Sequence, residues 1–365
     1  MIFDYDDIIY EILKYLNIID LCRMKMLNSK LYQAINNDQY YQLFINHKNN
    51  FNAGHSKSLY IHHNKILTTG HHCGTNLYKP TVLLFNNPIS VHCKEYTSIV
   101  WCRDGLYYMS SQNTTQLNVY HHNILAIAIS HHNVLLLKKN GLYMMDYKRL
   151  KFQYIEIFKY KNITKIACGY NHSIVIVDAC LVYGFGSNTN YQLGCCNSSY
   201  ITTPLDMMFD GDLKYIDACG GVGHTVVLSS LGTCFGLGSN HCGELGLGMS
   251  KNNIRHPTLL PINNVVSIAC GHHFTLFLNH DNELYGCGDR YYSNYSIYND
   301  DHIYIPTRIH FNHPIKSIAC GSYNTMIKTN KDDYYVVGYN QHGALGLGKF
   351  ANKKIKKFKQ IYFLI

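Results

Sequence analysis

Two periodicities divide the chain. Near its start Ile8, Ile9, Ile12, Leu13 and Leu16 recur at spacings of three and four, which predicts a helix with one apolar face. Asp4, Asp6 and Asp7 precede that stripe, where negative charge is favoured at a helix N-terminus. A second helical stretch is expected from Asp20, a good capping residue, and carries Leu21, Met24, Leu27, Leu31 and Ile35. Helices this short cannot bury a core alone, so the rest of the chain or a partner must cover them. Beyond residue 50 the pattern becomes one of short continuous apolar runs, such as Ile174-Val175-Ile176, Val226-Val227-Leu228 and Leu276-Phe277-Leu278. Unbroken runs of strand length predict strands covered on both faces.

These strands repeat. Ala167-Cys168-Gly169, Ala218-Cys219-Gly220, Ala269-Cys270-Gly271 and Ala319-Cys320-Gly321 lie 51, 51 and 50 positions apart. From Gly169, Gly221, Gly271 and Gly321 the fourth residue on is Ser173, Thr225, Thr275 or Thr325, and a buried strand follows each. The same template slides backwards onto weaker copies at Gly54 with Ser58, at Lys94 with Ser98 and at Ser130 with Leu135-Leu136-Leu137, making seven copies in all. The early units lack a stretch that the later ones carry at 184–194, 236–248 and 338–348. Gly and Asn dominate it, so it reads as a turn between strands and not as a helix.

Ile-Ala-Cys-Gly, a following Ser or Thr strand, a Tyr or Phe strand and then Gly-x-Asn-x-x-Gly-x-Leu-Gly-x-Gly together resemble the regulator of chromosome condensation repeat. The match is fullest at 265–288 and 339–348 and covers roughly residues 51–365. The resemblance implies a mainly β fold, a seven-bladed β-propeller, in agreement with the seven copies; the clear blades are expected over about 160–350 and the degenerate ones over about 51–155. Several members carry a His just before the hydroxyl residue; His172 and His224 fit, whereas Phe274 and Asn324 depart. The tail 354–361 is expected to close the ring by pairing with the blade built around Gly54.

The first residues carry a second resemblance. Asp7-Ile8-Ile9-Tyr10-Glu11-Ile12-Leu13-Lys14-Tyr15-Leu16, then Asp20-Leu21-Cys22-Arg23, then Leu27-Asn28-Ser29-Lys30-Leu31-Tyr32, resemble the F-box. They depart at Asp4-Tyr5, where that family has Leu-Pro, and at Leu31, where it has Trp or Phe. An F-box-like helical domain is thus expected over 1–46. The resemblance implies that Ile8, Ile12, Leu13, Leu16, Leu21, Met24 and Leu27 divide between the box's own packing and a Skp-type linker protein.

Composition narrows the classes. Apolar residues make up 47% and charged residues 15%, too apolar and too weakly charged for a disordered chain. The net charge is 32 − 23 = +9, but Lys349, Lys353, Lys354, Lys356, Lys357 and Lys359 supply six of it, leaving +3 elsewhere. A solvated strand edge accounts for such a run as well as a basic patch does, which weakens the case for nucleic acid. The acidic start and the absence of any long apolar run argue against a secretory signal or a membrane span and for a cytoplasmic or nuclear protein.

Candidate chemistry fails on inspection. Residues 343–349 spell Gly-x-x-x-x-Gly-Lys, but Phe350 stands where a phosphate loop needs Ser or Thr. His71-His72-Cys73 looks like part of a zinc set, yet no Cys-x-x-Cys occurs, and no metal, no cofactor and no catalytic residue is expected. Cys168, Cys219, Cys270 and Cys320 recur at one template position, which argues for packing and against a unique nucleophile. The expected function is therefore non-enzymatic: a substrate-recognition adaptor of a Skp–cullin–F-box ubiquitin ligase, with the target protein on the propeller loops. The alternatives are a guanine-nucleotide exchange or chromatin-binding propeller, and a plain interaction scaffold.

Overall fold

The computed structural model describes residues 51–365 apart from 56, 73–74, 95–96, 111–112, 118–122, 195–197, 249–252, 291–301, 350 and 364–365. The expected helices, and with them Ile8, Ile12, Leu13, Leu16, Leu21, Met24 and Leu27, lie outside the described residues.

Seven antiparallel four-stranded sheets follow one another along the chain, each built from one contiguous segment with its strands in sequence order. They occupy 51–83, 88–117, 124–154, 163–206, 215–259, 265–309 and 315–361. The first strands of neighbouring sheets lie side by side, and that of the last sheet lies beside that of the first, so the sheets are the blades of a closed seven-bladed β-propeller.

The sequence pattern maps directly onto this arrangement. Each Ala-Cys-Gly stretch ends an inner strand, as in Ile163–Cys168 and Val265–Cys270. The apolar runs are the second strands, and His172–Val177, His224–Ser229, Phe274–Asn279 and Asn324–Thr329 are buried at every position. Continuous burial follows from the architecture, since a blade has a neighbour on each flat face. The core is accordingly divided into clusters wedged between adjacent blades. One joins Leu135, Ile166, Ile174 and Val182, and another joins Leu228, Ile268, Phe277 and Cys287.

The turn after the inner strand explains the glycine that the template carries in its four clear units. A Cβ on Gly169 would meet the His172 ring at 2.0 Å, and one on Gly221 would meet the His224 ring at 2.1 Å. The side chain three residues on folds back over the glycine, whether it is His, Phe274 over Gly271, or Asn324 over Gly321. The departures at Phe274 and Asn324 therefore keep the same place in the fold.

Closure differs from the expectation. The tail strand Lys354–Ile361 pairs with Tyr334–Tyr339 as the outer strand of the last blade, and it forms no ladder with the first blade. The first blade already has its own inner strand, Phe51–Ala53, so no strand position is open there. The seam is held by side chains and loops. Phe51, Tyr60 and Leu67 share one cluster with Met326, Tyr334, Leu345, Ile355 and Ile361. Phe363, just past the tail strand, lies 5.3 Å ring to ring from both Tyr60 and Tyr334. Ser58 Oγ and Thr69 Oγ1 both donate to Ala344 O, at 2.8 and 2.7 Å, and Gly348 N donates to Tyr78 O at 2.7 Å.

Deleting residues 354–365 should lower the melting temperature sharply, because it bares the Tyr334–Tyr339 edge and removes two buried isoleucines from the seam. Burial of Ile355 and Ile361 alone contributes roughly 3–6 kcal/mol. An unchanged melt would show that the tail contributes nothing to closure.

Candidate functional site

The chain runs up each inner strand, down the second, up the third and down the fourth, so two turns per blade emerge at the same end of the ring. The turn after the third strand is short in the first three blades, joining His72 to Thr75, Met109 to Thr114 and Asp146 to Lys151. In the last four it lengthens to 188–199, 239–253, 289–302 and 340–353. This end is therefore an asymmetric face, with its long loops confined to four consecutive blades.

Three of the four long loops, those of the fourth, fifth and seventh blades, are shaped by one recurring asparagine. Asn188 Oδ1 accepts from Leu193 N at 2.9 Å while its amide donates to Gly194 O at 3.3 Å. Asn240 does the same with Leu245 N and Gly248 O, and Asn340 accepts from Leu345 N at 2.9 Å. Each folded loop then presents one backbone carbonyl to the next blade. Thr225 Oγ1 donates to Gln192 O at 2.7 Å, Thr275 Oγ1 donates to Glu244 O at 2.7 Å, and Ser58 repeats the bond across the closing seam. At these three boundaries the template hydroxyl is thus a staple between blades.

The histidine before the hydroxyl completes the staple. His172 Nε2 lies 3.0 Å from Thr225 Oγ1, and His224 Nε2 lies 3.1 Å from Thr275 Oγ1. The threonine proton is already given to the carbonyl, so the ring nitrogen is the donor, which fixes the Nε2–H tautomer. Burial, aided by the charges of His224 and Lys94, pushes the His172 pKa down to about 3. Burial also takes His92, whose Nε2 lies 2.9 Å from Ser90 Oγ, down to about 3.

Around the axis of the ring the inner turns bring together rings that are far apart in sequence. His131 stacks on Tyr170 at 4.6 Å and 12°, Tyr170 meets His272 edge-on at 5.3 Å, and His272 meets Tyr323 at 4.8 Å. His55 of the first blade reaches Tyr323 at 5.5 Å, so rings from the first, third, fourth, sixth and seventh blades form a belt. Backbone bonds hold it, including His131 N to Tyr170 O and His272 N to Ser322 O, at 2.8 and 3.0 Å. Beside it a cleft of about 320 Å³ between the third and fourth blades is lined by His132, Asn133, Asn171, Ser187, Thr189, Ser199 and Tyr200. Hydrogen-bonding groups with flat rings suit a protein or peptide surface.

Sequence reasoning missed the belt, although His55, His131, Tyr170 and His272 each sit one position after a template reference. It placed the repeated cysteines correctly at one structural level. Burial pushes the Cys168 thiol up to about 12, and the Cys219 thiol, also raised by burial, meets Cys270 across a blade boundary. Cys93 occupies the same level on the second blade, where Lys94 replaces the template glycine. The near-miss phosphate loop is the last blade's long loop, whose Gln341–Gly343 makes a single 3-10 turn.

A pH dependence follows from the neutral histidines. An unfolded imidazole titrates near about 6.5, above the folded value of about 3, so the unfolded chain takes up protons first as pH falls. Their stabilisation is complete above about pH 6.5 and declines toward pH 3 by about 1.4 kcal/mol per pH unit for each histidine. Denaturant midpoints measured from pH 7 to 4 should fall accordingly, and His172→Gln should reduce the slope by about one proton; an identical slope in the variant would contradict the assignment.

Comparison with known proteins agrees with this geometry. The family model described as the regulator of chromosome condensation (RCC1) repeat matches residues 181–228 and 232–278, a second model of the same description matches 163–192 and 265–293, and the F-box domain model matches 6–43. The chain is 28% identical over 201 residues to the human (Homo sapiens) "Probable E3 ubiquitin-protein ligase HERC4", covering 53% of this chain and 19% of that protein. It is 23% identical over 209 residues to "Ultraviolet-B receptor UVR8" of Arabidopsis thaliana, covering 56% and 48%. The match thus spans about a fifth and about half of the lengths of these relatives. Among solved structures, yeast RCC1 (Prp20) bound to Kap60 superposes with a TM-score of 0.70 at 18% identity, covering 79% of each chain, and human WBSCR16 with 0.69 at 16%, covering 79% and 86%. An F-box domain match at 6–43 thus precedes regulator of chromosome condensation repeat matches that lie on the fourth, fifth and sixth blades.

Proposed function

We propose that this chain is the substrate-recognition subunit of a Skp–cullin–F-box ubiquitin ligase: the box docks on a Skp-type linker, and the loop-bearing face of the propeller holds the target. The observation that carries this reading is the pairing of an F-box match at 6–43 with a rigid interaction module whose long loops crowd one end. The chain itself does no chemistry in this scheme. It raises the effective concentration of target near a charged conjugating enzyme, and the rate gain comes from proximity. Ile8, Ile12, Leu13, Leu16, Leu21, Met24 and Leu27 divide between the box's own packing and the linker. The target lies on the loops of the last four blades and the His–Tyr belt. The cytoplasm or nucleus is the compartment where such a ligase works; no helix among the described residues is long and apolar enough to cross a membrane.

The test is co-purification with a recombinant Skp-type linker. The wild type should bind, and Leu13→Asp with Leu16→Asp should abolish binding while leaving the melting of the propeller unchanged. Binding that survives both substitutions, or absent from the wild type, removes the ligase reading. A guanine-nucleotide exchange role rests on likeness of fold, which does not carry function. Accelerated nucleotide release from a small GTPase would favour it instead.

A further inference from the structure

At the boundary between the fifth and sixth blades three departures from the repeat template converge. The long loop of the fourth blade reads Asn188-Thr189-Asn190-Tyr191-Gln192-Leu193, and that of the fifth reads Asn240-His241-Cys242-Gly243-Glu244-Leu245. Across the next boundary the facing turn residue changes from Gly223 to His273. Geometry confirms the correspondence, since a Cβ on Gly223 would meet Asn190 Nδ2 at 2.6 Å. Where the fourth and fifth blades meet, the three positions are thus Asn190, Gln192 and Gly223, with no metal-binding set among them. Where the fifth and sixth meet they are Cys242, Glu244 and His273, and one ligand atom from each lies within 4.8 Å of the other two.

The fold does not require the carboxylate. Gln192 makes the same loop bond through a neutral amide, accepting from Asn190 N at 2.9 Å, as Glu244 accepts from Cys242 N at 2.8 Å. Yet the Glu244 side chain is 1% exposed, and among the described residues its only partner within ion-pair distance is His273, with Nδ1 3.6 Å from Oε1. No Lys or Arg among the described residues pairs with this buried carboxylate, which its hydrogen-bond donors keep ionised, so its negative charge is available to a cation. The carboxylate is held in place by Ser239 Oγ at 2.9 Å and by the Cys242 amide. Gly243, at φ +82°, makes the turn that sets Cys242 and Glu244 on one side of the loop. His273 is 37% exposed, so the cluster opens to solvent on one side.

We propose that Cys242, Glu244 and His273 form a Zn²⁺ site that ties the fifth blade to the sixth beneath the loop-bearing face. One sulfur, one nitrogen and one oxygen suit zinc, with bonds of about 2.3 Å to sulfur and about 2.0–2.2 Å to nitrogen and oxygen. A tetrahedral ion at those distances needs its ligand atoms about 3.3–3.7 Å apart, which the 3.6 Å His–Glu separation already meets. The fourth position belongs to water, on the side where His273 opens to solvent. The site stands apart from the F-box reading, since it needs only the propeller.

The experiment is Co²⁺ and Zn²⁺ titration of the full chain after chelator treatment. The wild type should bind one Co²⁺ with a thiolate-to-cobalt charge-transfer band that Zn²⁺ displaces, and Zn²⁺ should raise its melting temperature. Cys242→Ser should lose the band, and Glu244→Gln, which restores the residue type of the fourth blade and so preserves the fold, should weaken binding at least about ten-fold. His273→Ala should do likewise. A band of equal strength and affinity in Cys242→Ser and Glu244→Gln would place the metal on other histidines or cysteines and overturn the proposal, as would a wild type that binds no cobalt.

Discussion

Everything in this propeller depends on how one blade is fixed to the next. No strand is shared between blades, and none of the ten free cysteines among the described residues bridges them covalently. Blades are joined instead by a buried apolar wedge, by backbone bonds between neighbouring inner turns and, at three boundaries, by a hydroxyl that hands its proton to a carbonyl of the preceding blade's loop. The loop carbonyl is presented correctly only because an asparagine has folded the loop. The hydroxyl is oriented by a histidine held neutral by burial in the fourth blade, and it lies on a strand with no exposed residue. Loop, strand and neighbour are in this way a single cooperative unit. Ser58 and Ala344 reproduce the bond at the seam, so the ring closes with the same interaction that builds it.

Most of this was legible in the sequence, because a strand covered on both faces must be apolar throughout and a glycine under a folded-back ring cannot be replaced cheaply. Those two requirements recur in each clear unit and produce the Ala-Cys-Gly and Ser/Thr register. The seam was misread for a physical reason. Phe51–Ala53, the inner strand of the first blade, is three residues long and carries no periodicity, so nothing in the sequence marks the first blade as already complete. The His–Tyr belt escaped because its residues, though four of them follow a template reference by one position, lie in turns of five different blades, and only the ring brings residues 55, 131, 170, 272 and 323 together.

The lysine run takes on a different meaning in the fold. Lys356, Lys357 and Lys359 lie on the exposed positions of the last outer strand, while Ile355 and Ile361 of the same strand are buried. Each blade ends in such an outer edge, and unpaired edges invite pairing with other chains. Charge there keeps the edge solvated, so much of the +9 belongs to the periphery and not to the loop-bearing face.

Each blade being one uninterrupted stretch of chain has a consequence for how such a ring can change. In propellers whose first and last strands interlock in a shared blade, inserting a unit disturbs the lock. Here a tandem duplication of about fifty codons, beginning at the fifth blade's inner strand, encodes a whole blade together with both halves of its rim contacts. The genetic unit and the mechanical unit coincide, so a local drift, such as the shortened loops of the first three blades, stays confined to the blade in which it arises.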